Sequence, residues 1–323
     1  MALLPPDPVY TIRNVNNEPV YSLAFSFLPG GLERLLAGSK NGCVYAYDLQ
    51  TNRMQQKIKV GQAPILHIIH TDSKFITQEK GGRYKIFDLT NKGYKEIATI
   101  DVDFTGFCRC DADTKLELLY VPDKESAIHI YNFNGEKQGT LKQDPEETTK
   151  VGDTMCMRFI EFPSERPCLL VGYETGCIAL WDLKTSQIIS KLQTLECPMS
   201  IDFHIEQQRG VIGNVSNVIQ IFIIKKDVLT LSPSIDITIK NAGINKVQCR
   251  SDGKLFATGG WDGHIRIVSW FSLRQLVVLT DHKQAVQDVV YSSQKVSLWD
   301  ANIMAAGGLD GAITLWNLYN SKK

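Results

Sequence analysis

Apolar and polar residues alternate on either side of a tight turn, and this arrangement recurs along the chain. In the stretch VGYETGCIALWDL at 171–183, one run ends at Tyr173, Glu174–Gly176 turns the chain, and Cys177–Leu183 alternates with a period of two. A period of two beside a glycine turn is typical of a β-hairpin, because successive side chains of a strand point to opposite faces. The pattern therefore predicts strands in pairs.

Six further copies of this hairpin can be found, and most carry an aromatic residue at the position of Trp181. The seven anchor positions are Tyr47, Phe87, Tyr131, Trp181, Phe222, Val268 and Trp316. Neighbouring anchors lie about 40 to 50 residues apart, which brackets the length of a four-stranded propeller blade. The Trp-Asp pair at 181–182 is the dipeptide that names the WD repeat. We therefore predict an all-β fold, a seven-bladed WD-repeat β-propeller.

The first and last segments are expected to complete one blade together. The last copy ends at Leu318, directly after its third strand, and Val9–Arg13 is expected to be a strand without a partner near it in sequence. We predict that this N-terminal strand joins the last blade and closes the ring, so that residues 1–323 form one domain. The inner strand of blade three is predicted over Phe104–Cys108. The other inner strands are predicted to begin near Val20, Ile65, Met155, Met199, Ile244 and Ala285.

Composition narrows the class of protein. Hydrophobic residues make up 43% of the 323 residues, and Lys+Arg and Asp+Glu are 35 each, so the net charge is zero. A basic stripe for nucleic acid is therefore not expected. The start, MALLPPDPVY, has neither the charged region nor the apolar run of a signal peptide, and no apolar stretch is long enough for a transmembrane helix. We expect the eight cysteines to be reduced thiols of an intracellular protein.

Motifs that carry catalysis or metal binding are not found. The sequence contains no GxSxG, GxxxxGK[ST] or HExxH pattern. Cys108 and Cys110 would share a face on a strand, but no second pair at zinc-like spacing accompanies them. His67 and His70 would point to opposite faces of one strand. An enzyme built on the central channel would need carboxylates or histidines that converge at the starts of the inner strands, and the sequence shows no such set. We therefore expect no enzyme activity, catalytic residue, metal or cofactor.

Several polar and aromatic residues are predicted to be structural. In blade seven, His282, Asp310 and Trp316 are expected to form a buried polar chain that braces the sheet, since buried polar groups must be satisfied. Blade six retains the turn carboxylate as Asp262. Blade four retains Trp181 and Asp182 as its anchor pair. Blades two to five have other residues at the turn position, and we expect them to rely more on apolar packing.

The residue before each turn position is predicted to point towards the rim that also carries the inter-blade loops. These residues are Lys40, Lys80, Lys124, Glu174, Val215, Trp261 and Leu309. We hypothesise that Val215, Trp261 and Leu309 form the apolar arc of a protein-docking face and that the three lysines guide orientation. The alternatives are a Trp261 that packs on a neighbouring loop and lysines that are ordinary solvated charges. The polar loop 143–153 is interpreted as a solvated connector, with a docking element as the alternative.

Several stretches are much more specific than generic WD repeats. They are PPDPVYTIR, MCMRF followed by RPCLLVGYETGCIALWDL, NAGINKVQCRSDGKLFATGGWDGHIRIVSW and LDGAITLWNLY. Through them the whole chain resembles the family of guanine nucleotide-binding protein β-subunit-like protein 1 and ASTRA-associated protein 1. The resemblance implies a non-enzymatic adaptor, linked to the TTT co-chaperone complex and to the maturation and stability of phosphatidylinositol-3-kinase-related kinases, with fungal members in the chromatin-associated ASTRA assembly. We accordingly expect a monomer within a larger complex, in the cytoplasm and the nucleus.

Other functions of a propeller remain open at this point. A heterotrimeric G-protein β subunit carries a long N-terminal helix that pairs with γ, whereas the first strand here is expected by Val9, which leaves no room for several heptads. A substrate receptor of a ubiquitin ligase is a further alternative, because one fold hosts many interaction roles.

Overall fold

The computed structural model describes residues 5–13, 17–28, 30–90, 93–143, 150–163, 166–225 and 228–319. Within these ranges, 28 strands form seven four-stranded antiparallel sheets that are arranged as a ring. The prediction of a seven-bladed β-propeller is therefore confirmed. None of the described residues belongs to a helix that is long and apolar enough to cross a membrane.

The strands are numbered in chain order, and blades one to six each run from an inner to an outer strand. Blade one consists of β2 (Val20–Leu28), β3 (Leu32–Ser39), β4 (Cys43–Asp48) and β5 (Arg53–Lys59). Blade two consists of β6 (Ile65–His70), β7 (Lys74–Glu79), β8 (Arg83–Thr90) and β9 (Gly93–Asp101). Blade three consists of β10 (Asp111–Asp113), β11 (Leu118–Pro122), β12 (Ile128–Asn132) and β13 (Lys137–Leu141). Blade four consists of β14 (Thr154–Phe162), β15 (Arg166–Tyr173), β16 (Cys177–Asp182) and β17 (Gln187–Gln193). Blade five consists of β18 (Pro198–His204), β19 (Arg209–Asn214), β20 (Val218–Lys225) and β21 (Thr230–Thr238). Blade six consists of β22 (Ile244–Cys249), β23 (Leu255–Gly260), β24 (Ile265–Ser269) and β25 (Gln275–Leu279).

Blade seven is built from both ends of the chain. Its inner three strands are β26 (Val286–Tyr291), β27 (Met304–Gly308) and β28 (Ala312–Trp316), and its outer strand is β1 (Tyr10–Arg13). The register pairs Tyr10 with Leu315 and Arg13 with Ala312. Ile12 is buried in a core that also contains residues of blade one. The predicted closure by the N-terminal strand is thus confirmed.

The hydrophobic core lies between neighbouring blades rather than at the centre of the ring. Ile160, Leu170 and Leu180 of blade four pack in one cluster with Ile201 and Phe222 of blade five. Each sheet packs one face against each of its two neighbours, and successive side chains of a strand point to opposite faces, so both faces of the middle strands are covered. This explains why the middle strands, such as β4 and β16, are buried along their whole length.

The inner strand of blade three differs from the prediction. Phe104–Cys108 is not a strand, and β10 covers only Asp111–Asp113. The side chain of Gln78, from blade two, replaces the missing sheet bonds here: its amide donates to Cys108 O at 2.8 Å and accepts from Cys110 N at 2.8 Å. Since a side chain satisfies these backbone groups, the segment before β10 can leave the sheet and run across the end of the channel.

Candidate docking site

A β-bulge recurs at the start of the inner strand in six of the seven blades. The strand register skips the second residue, so that this residue has no direct partner on the adjacent strand. The bulge residues are Tyr21, Leu66, Met155, Met199, Asn245 and Gln287. A bulge re-aims one side chain while the rest of the strand keeps its alternation. All six side chains line the same cavity at one end of the central channel.

The cavity has a volume of about 300 Å³, and two aromatic residues from outside the inner strands also line it. Phe107 enters from the irregular segment of blade three and is 57% exposed, and Trp261 enters from the β23–β24 turn. We call the six bulge residues together with Phe107 and Trp261 the mouth. Four of the eight are exposed or partly exposed apolar groups of large size. An apolar, largely preformed concavity of this kind is typical of a binding site.

Trp261 is both packed and exposed. Its indole Nε1 donates to Asn245 Oδ1 at 2.6 Å, its backbone N donates to Gly243 O at 3.0 Å, and 44% of the residue remains accessible. A Cβ added to Gly243 would lie 2.1 Å from the ring, and Gly243 has φ +90°. Only glycine therefore allows the indole to lie on this loop. The packing on a neighbouring loop, proposed above as the alternative to docking, fixes the ring without covering it.

The rim lysines lie in three different surroundings. Lys40 is exposed. Lys80 Nζ lies 4.5 Å from the centroid of the Phe107 ring, which is cation–π geometry. Lys124 Nζ pairs with Asp103 Oδ2 at 3.0 Å, and both side chains are exposed. Of the three, Lys80 is the one that the structure brings into contact with the mouth.

The predicted apolar arc is assembled only in part. Val215 and Leu309 are half-buried, and neither is among the residues that line the mouth cavity. The apolar surface continues from Trp261 inwards to Met155 and Met199 instead of along the rim. The polar loop cannot be placed in the same way, because residues 144–149 lie outside the described residues.

Below the mouth, charged residues meet across the channel. We call Arg109, Asp111, Arg158, Asp202, Lys246 and Asp288 the charge belt. Arg109 of blade three crosses the channel: its Nη1 is 2.7 Å from Asp288 Oδ1, and its Nη2 donates to Tyr21 O at 2.8 Å and to Gln287 O at 2.9 Å. One guanidinium thereby ties blade three to blades seven and one.

Each carboxylate of the charge belt also bonds to the backbone of the next blade. Asp111 Oδ2 accepts from Phe159 N at 2.7 Å, and Asp202 Oδ2 accepts from Cys249 N at 2.7 Å. Asp288 Oδ2 accepts from Leu23 N at 2.8 Å. These are charge-assisted bonds between buried groups, which are stronger than neutral ones. The carboxylates therefore connect blade three to four, five to six and seven to one.

The charge belt bears on the prediction that no carboxylates converge at the starts of the inner strands. Asp111, Asp202 and Asp288 do converge on the channel, but only Asp111 lies at the start of its strand. The free space beside Asp111 and Asp202 is about 50 Å³, enough for one or two water molecules. A second arginine of the charge belt, Arg158, forms an ion pair with Asp202 at 2.9 Å. This arrangement is that of a structural network.

Burial controls protonation in this region. Burial, together with the positive charge of Arg109, lowers the pKa of His67 well below its ordinary value, so the imidazole is neutral near pH 7. Burial also raises the pKa of Asp111 and lowers that of Lys246. The neighbouring Asp202 raises the pKa of Arg158. His70, on the opposite face of β6, contacts Phe75 and Tyr94 instead, so the two histidines do not meet.

The polar chain of blade seven contains a fourth member that sequence reasoning missed. His282 Nδ1 lies 3.1 Å from Asp310 Oδ1, and His282 Nε2 lies 3.1 Å from Thr314 Oγ1. The indole Nε1 of Trp316 donates to the same hydroxyl at 2.9 Å. Thr314 thus links the histidine to the anchor tryptophan, and Trp316 is fully buried.

Blade six uses a different set of residues at the same places. Asp262 accepts from Arg266 Nη2 at 2.6 Å and from Asn241 Nδ2 at 2.9 Å. Arg266 occupies the place of Thr314 in blade seven, and Val268 that of Trp316. Burial by itself would raise the pKa of Asp262, but the hydrogen bonds from Arg266, Asn241 and His264 N outweigh it and lower the pKa to about 2.

Blade four satisfies its anchor pair locally. Trp181 Nε1 donates to Tyr173 Oη at 3.1 Å, and Asp182 pairs with Arg166 Nη2 at 2.6 Å. The two cysteines of the CxC pair lie on opposite sides of blade three: Cys108 packs in the core shared with blade four and Cys110 in the core shared with blade two. Within the described ranges, no group of three or more potential ligands could hold a metal ion.

Comparison with known proteins agrees with this geometry. The sequence model of the family "WD domain, G-beta repeat" matches residues 235–269, which span the end of blade five and most of blade six. The chain is 29% identical to guanine nucleotide-binding protein subunit beta-like protein 1 of Mus musculus over 98% of this chain and 97% of that protein. It is 22% identical to ASTRA-associated protein 1 of Verticillium alfalfae over 96% of this chain and 92% of that protein. A shorter match, 40% identical over 24% of this chain and 18% of the relative, joins it to ASTRA-associated protein 1 of Aspergillus flavus.

The fold and the mouth define a WD-repeat propeller of the scaffold or adaptor class, which acts through protein–protein contacts. Within that class, the chain is similar over nearly its whole length to guanine nucleotide-binding protein subunit beta-like protein 1 and to ASTRA-associated protein 1, and these similarities support the family resemblance given above.

Proposed function

We propose that this protein is a non-enzymatic scaffold that captures protein partners at its mouth. The observation that carries the proposal is the Trp261 ring, which is 44% exposed although Gly243 and Asn245 fix its position. Rigid exposed aromatic side chains make good interface anchors because little conformational entropy is lost when they bind. The paired carboxylates of the charge belt lie below this surface and leave no free general base among them.

The partners that we propose are the TTT co-chaperone complex and the phosphatidylinositol-3-kinase-related kinases, whose maturation and stability the scaffold would assist. This choice rests on the family resemblance. The name of the ASTRA-associated relatives points to a multiprotein assembly, and membership of such a chromatin-associated assembly is a second setting for the same docking face. The protein would act as a monomer within a larger complex, in both cytoplasm and nucleus.

Affinity capture of the intact protein from separated cytosolic and nuclear extracts, followed by quantitative mass spectrometry, tests this function. We expect TTT subunits or the large kinases in both fractions, and a fall in the steady-state level of those kinases when the protein is depleted. Recovery of a G-protein γ chain would support a G-protein β-like subunit instead, and recovery of cullin adaptors a ubiquitin-ligase receptor. Either result without TTT subunits or kinases would overturn the proposal.

A further inference from the structure

The mouth cavity has an apolar wall and a cationic floor. Met155, Met199 and Trp261 form part of the wall, and Arg109 and Lys246 face the same space from below. Thioether side chains are flexible and polarisable, so they adapt to apolar groups of different shape. At about 300 Å³ the cavity is at the lower end of the range for ligand pockets. It is therefore suited to one or two side chains of a partner rather than to a whole cofactor.

The two cations of the floor differ in how many hydrogen-bond and ion-pair partners they already have. Arg109 is engaged three times, by Asp288 and by two backbone carbonyls. The same carboxylate oxygen of Asp288 lies 3.9 Å from Lys246 Nζ, which is beyond hydrogen-bond distance. Asp288 is the acidic partner that the described residues offer to Lys246 within ion-pair range. The ammonium of Lys246 can therefore still donate to an acceptor that enters the mouth.

On one side of the ring, the rim above the floor carries positive charge, as the floor itself does. Lys80 lies over Phe107 at the edge of the cavity, and Lys40 is exposed in the neighbouring blade. On the opposite side of the ring, Glu174 and Glu196 are exposed. An extended ligand that carries negative charge would therefore be attracted towards blades one and two and repelled from blades four and five.

We infer that the mouth binds a short extended segment of a partner protein in which a large apolar side chain stands next to an Asp or Glu. The apolar side chain packs between Met155, Met199 and Trp261, and the carboxylate accepts hydrogen bonds from Lys246. A carboxylate fits this floor better than a phosphate does, because one ammonium is available while the guanidinium of Arg109 is already engaged. This inference rests on the proposed function, since it assigns a ligand chemistry to the same docking site.

The test uses the intact protein and fluorescein-labelled nonapeptides with amidated C-termini, in which Gly and Ser flank a central Leu-Glu, Leu-Gln, Leu-Lys or Leu-phosphoserine pair. Fluorescence polarisation measures each affinity. We expect the Leu-Glu peptide to bind at least about tenfold more tightly than Leu-Gln, because the Gln carbonyl can still accept from Lys246 but the ionic attraction to its ammonium is lost. Lys246→Met should bring the Leu-Glu affinity down to that of Leu-Gln, and the remaining binding of both peptides shows that the variant is folded.

Two further variants keep the test decisive if Lys246→Met does not fold. Lys80→Glu, at an exposed position, should weaken Leu-Glu binding more than Leu-Gln binding, and more so at low salt. Phe271→Ala is the matched control, because Phe271 is 98% exposed in the same blade at the other end of β24. It should change neither affinity.

Equal affinity for Leu-Glu and Leu-Gln, tightest binding of the phosphoserine peptide, or no binding of any peptide at millimolar concentration would overturn the inference. None of these results bears on which proteins are captured from extracts. Conversely, capture without TTT subunits or kinases would end the proposed function but leave a preference for Leu-Glu intact.

Discussion

The mouth and the charge belt are built from the same inner strands, but they differ in what surrounds their side chains. Gln287 and Asp288 are neighbours in β26: the first lines the mouth, and the second is buried and bonded to Arg109 and to Leu23 N. Apart from Lys246, the charged groups of the charge belt pair with one another or with the backbone, whereas the mouth leaves apolar groups such as Phe107 exposed to solvent. The charge belt therefore serves mainly stability, and the mouth, one layer above it, is available for binding.

The largest effect is expected from the charge belt. Asp288→Ala leaves the Arg109 guanidinium without its carboxylate and Leu23 N without its acceptor. Breaking one side of a buried pair costs about 3 kcal/mol or more, so the midpoint of chemical denaturation should fall markedly. Asp103→Ala, which removes the exposed pair with Lys124, is the control and should cost less than about 1 kcal/mol. Equal shifts for the two variants would contradict the structural role of the charge belt.

The polar chain of blade seven should behave like the charge belt, at a smaller scale. Thr314→Val keeps the shape of the side chain but removes the hydroxyl between His282 and Trp316. Nε2 of His282 and Nε1 of Trp316, which are both buried, then lack a hydrogen-bond partner. We expect a loss of about 2 kcal/mol in the free energy of unfolding. Thr11→Val, in the outer strand of the same blade, provides a control with the same change of side chain. A loss no larger than that of the control would show that Thr314 is not needed.

At the mouth, the position of the Trp261 ring can be changed without substituting Trp261 itself. Gly243→Ala places a methyl group against the indole and forces a left-handed backbone on alanine, which costs about 1 kcal/mol of stability. The ring must move, so partner binding should fall nearly as far as in Trp261→Ala. Gly30→Ala, at a position with a similar φ of +92° but open space around it, is the matched control. Retained binding by Gly243→Ala would show that the position of the ring does not matter.

The smallest effect is expected on the stability of the protein at acidic pH. Because hydrogen bonds lower the pKa of Asp262 from 3.8 to about 2, its contribution to stability is fully present above about pH 4 and is lost as the pH falls towards 2. Asp262→Asn should therefore be less stable than the wild type at pH 7, and the difference should shrink over this interval. Denaturation midpoints of the two proteins at several pH values measure it. A difference that stays constant down to pH 2 would rule out this role for the carboxylate.

The repeat pattern was sufficient to predict the blades and their closure, because each hairpin is local and the unpaired strand at Tyr10–Arg13 had one obvious partner. Trp261 was also found from sequence, since an aromatic side chain in a polar turn is conspicuous. The inner strand of blade three was predicted wrongly, because the Gln78 side chain that replaces its sheet bonds comes from another blade and leaves no sign in the local sequence. Phe107 was therefore missed as a mouth residue.

The rest of the site depends on the ring as a whole. Arg109, Arg158, Asp202 and Asp288 lie far apart in sequence, and they pair only because the inner strands converge on one axis. The bulges were hidden because a period-two pattern does not reveal a skipped residue such as Met155. An apolar residue at the second position of several inner strands was the available signal, and it acquires meaning only when the blades are aligned at that position.

We expect partners to dock at the mouth through Trp261. The most direct measurement compares Trp261→Ala with Phe271→Ala, two exposed aromatic residues at opposite ends of β24, by quantitative affinity capture and thermal unfolding in parallel. We predict that Trp261→Ala weakens partner binding by about 2 kcal/mol with its unfolding temperature nearly unchanged, and that Phe271→Ala captures partners like the wild type. Undiminished capture by Trp261→Ala, or an equal loss in both variants, would contradict the account.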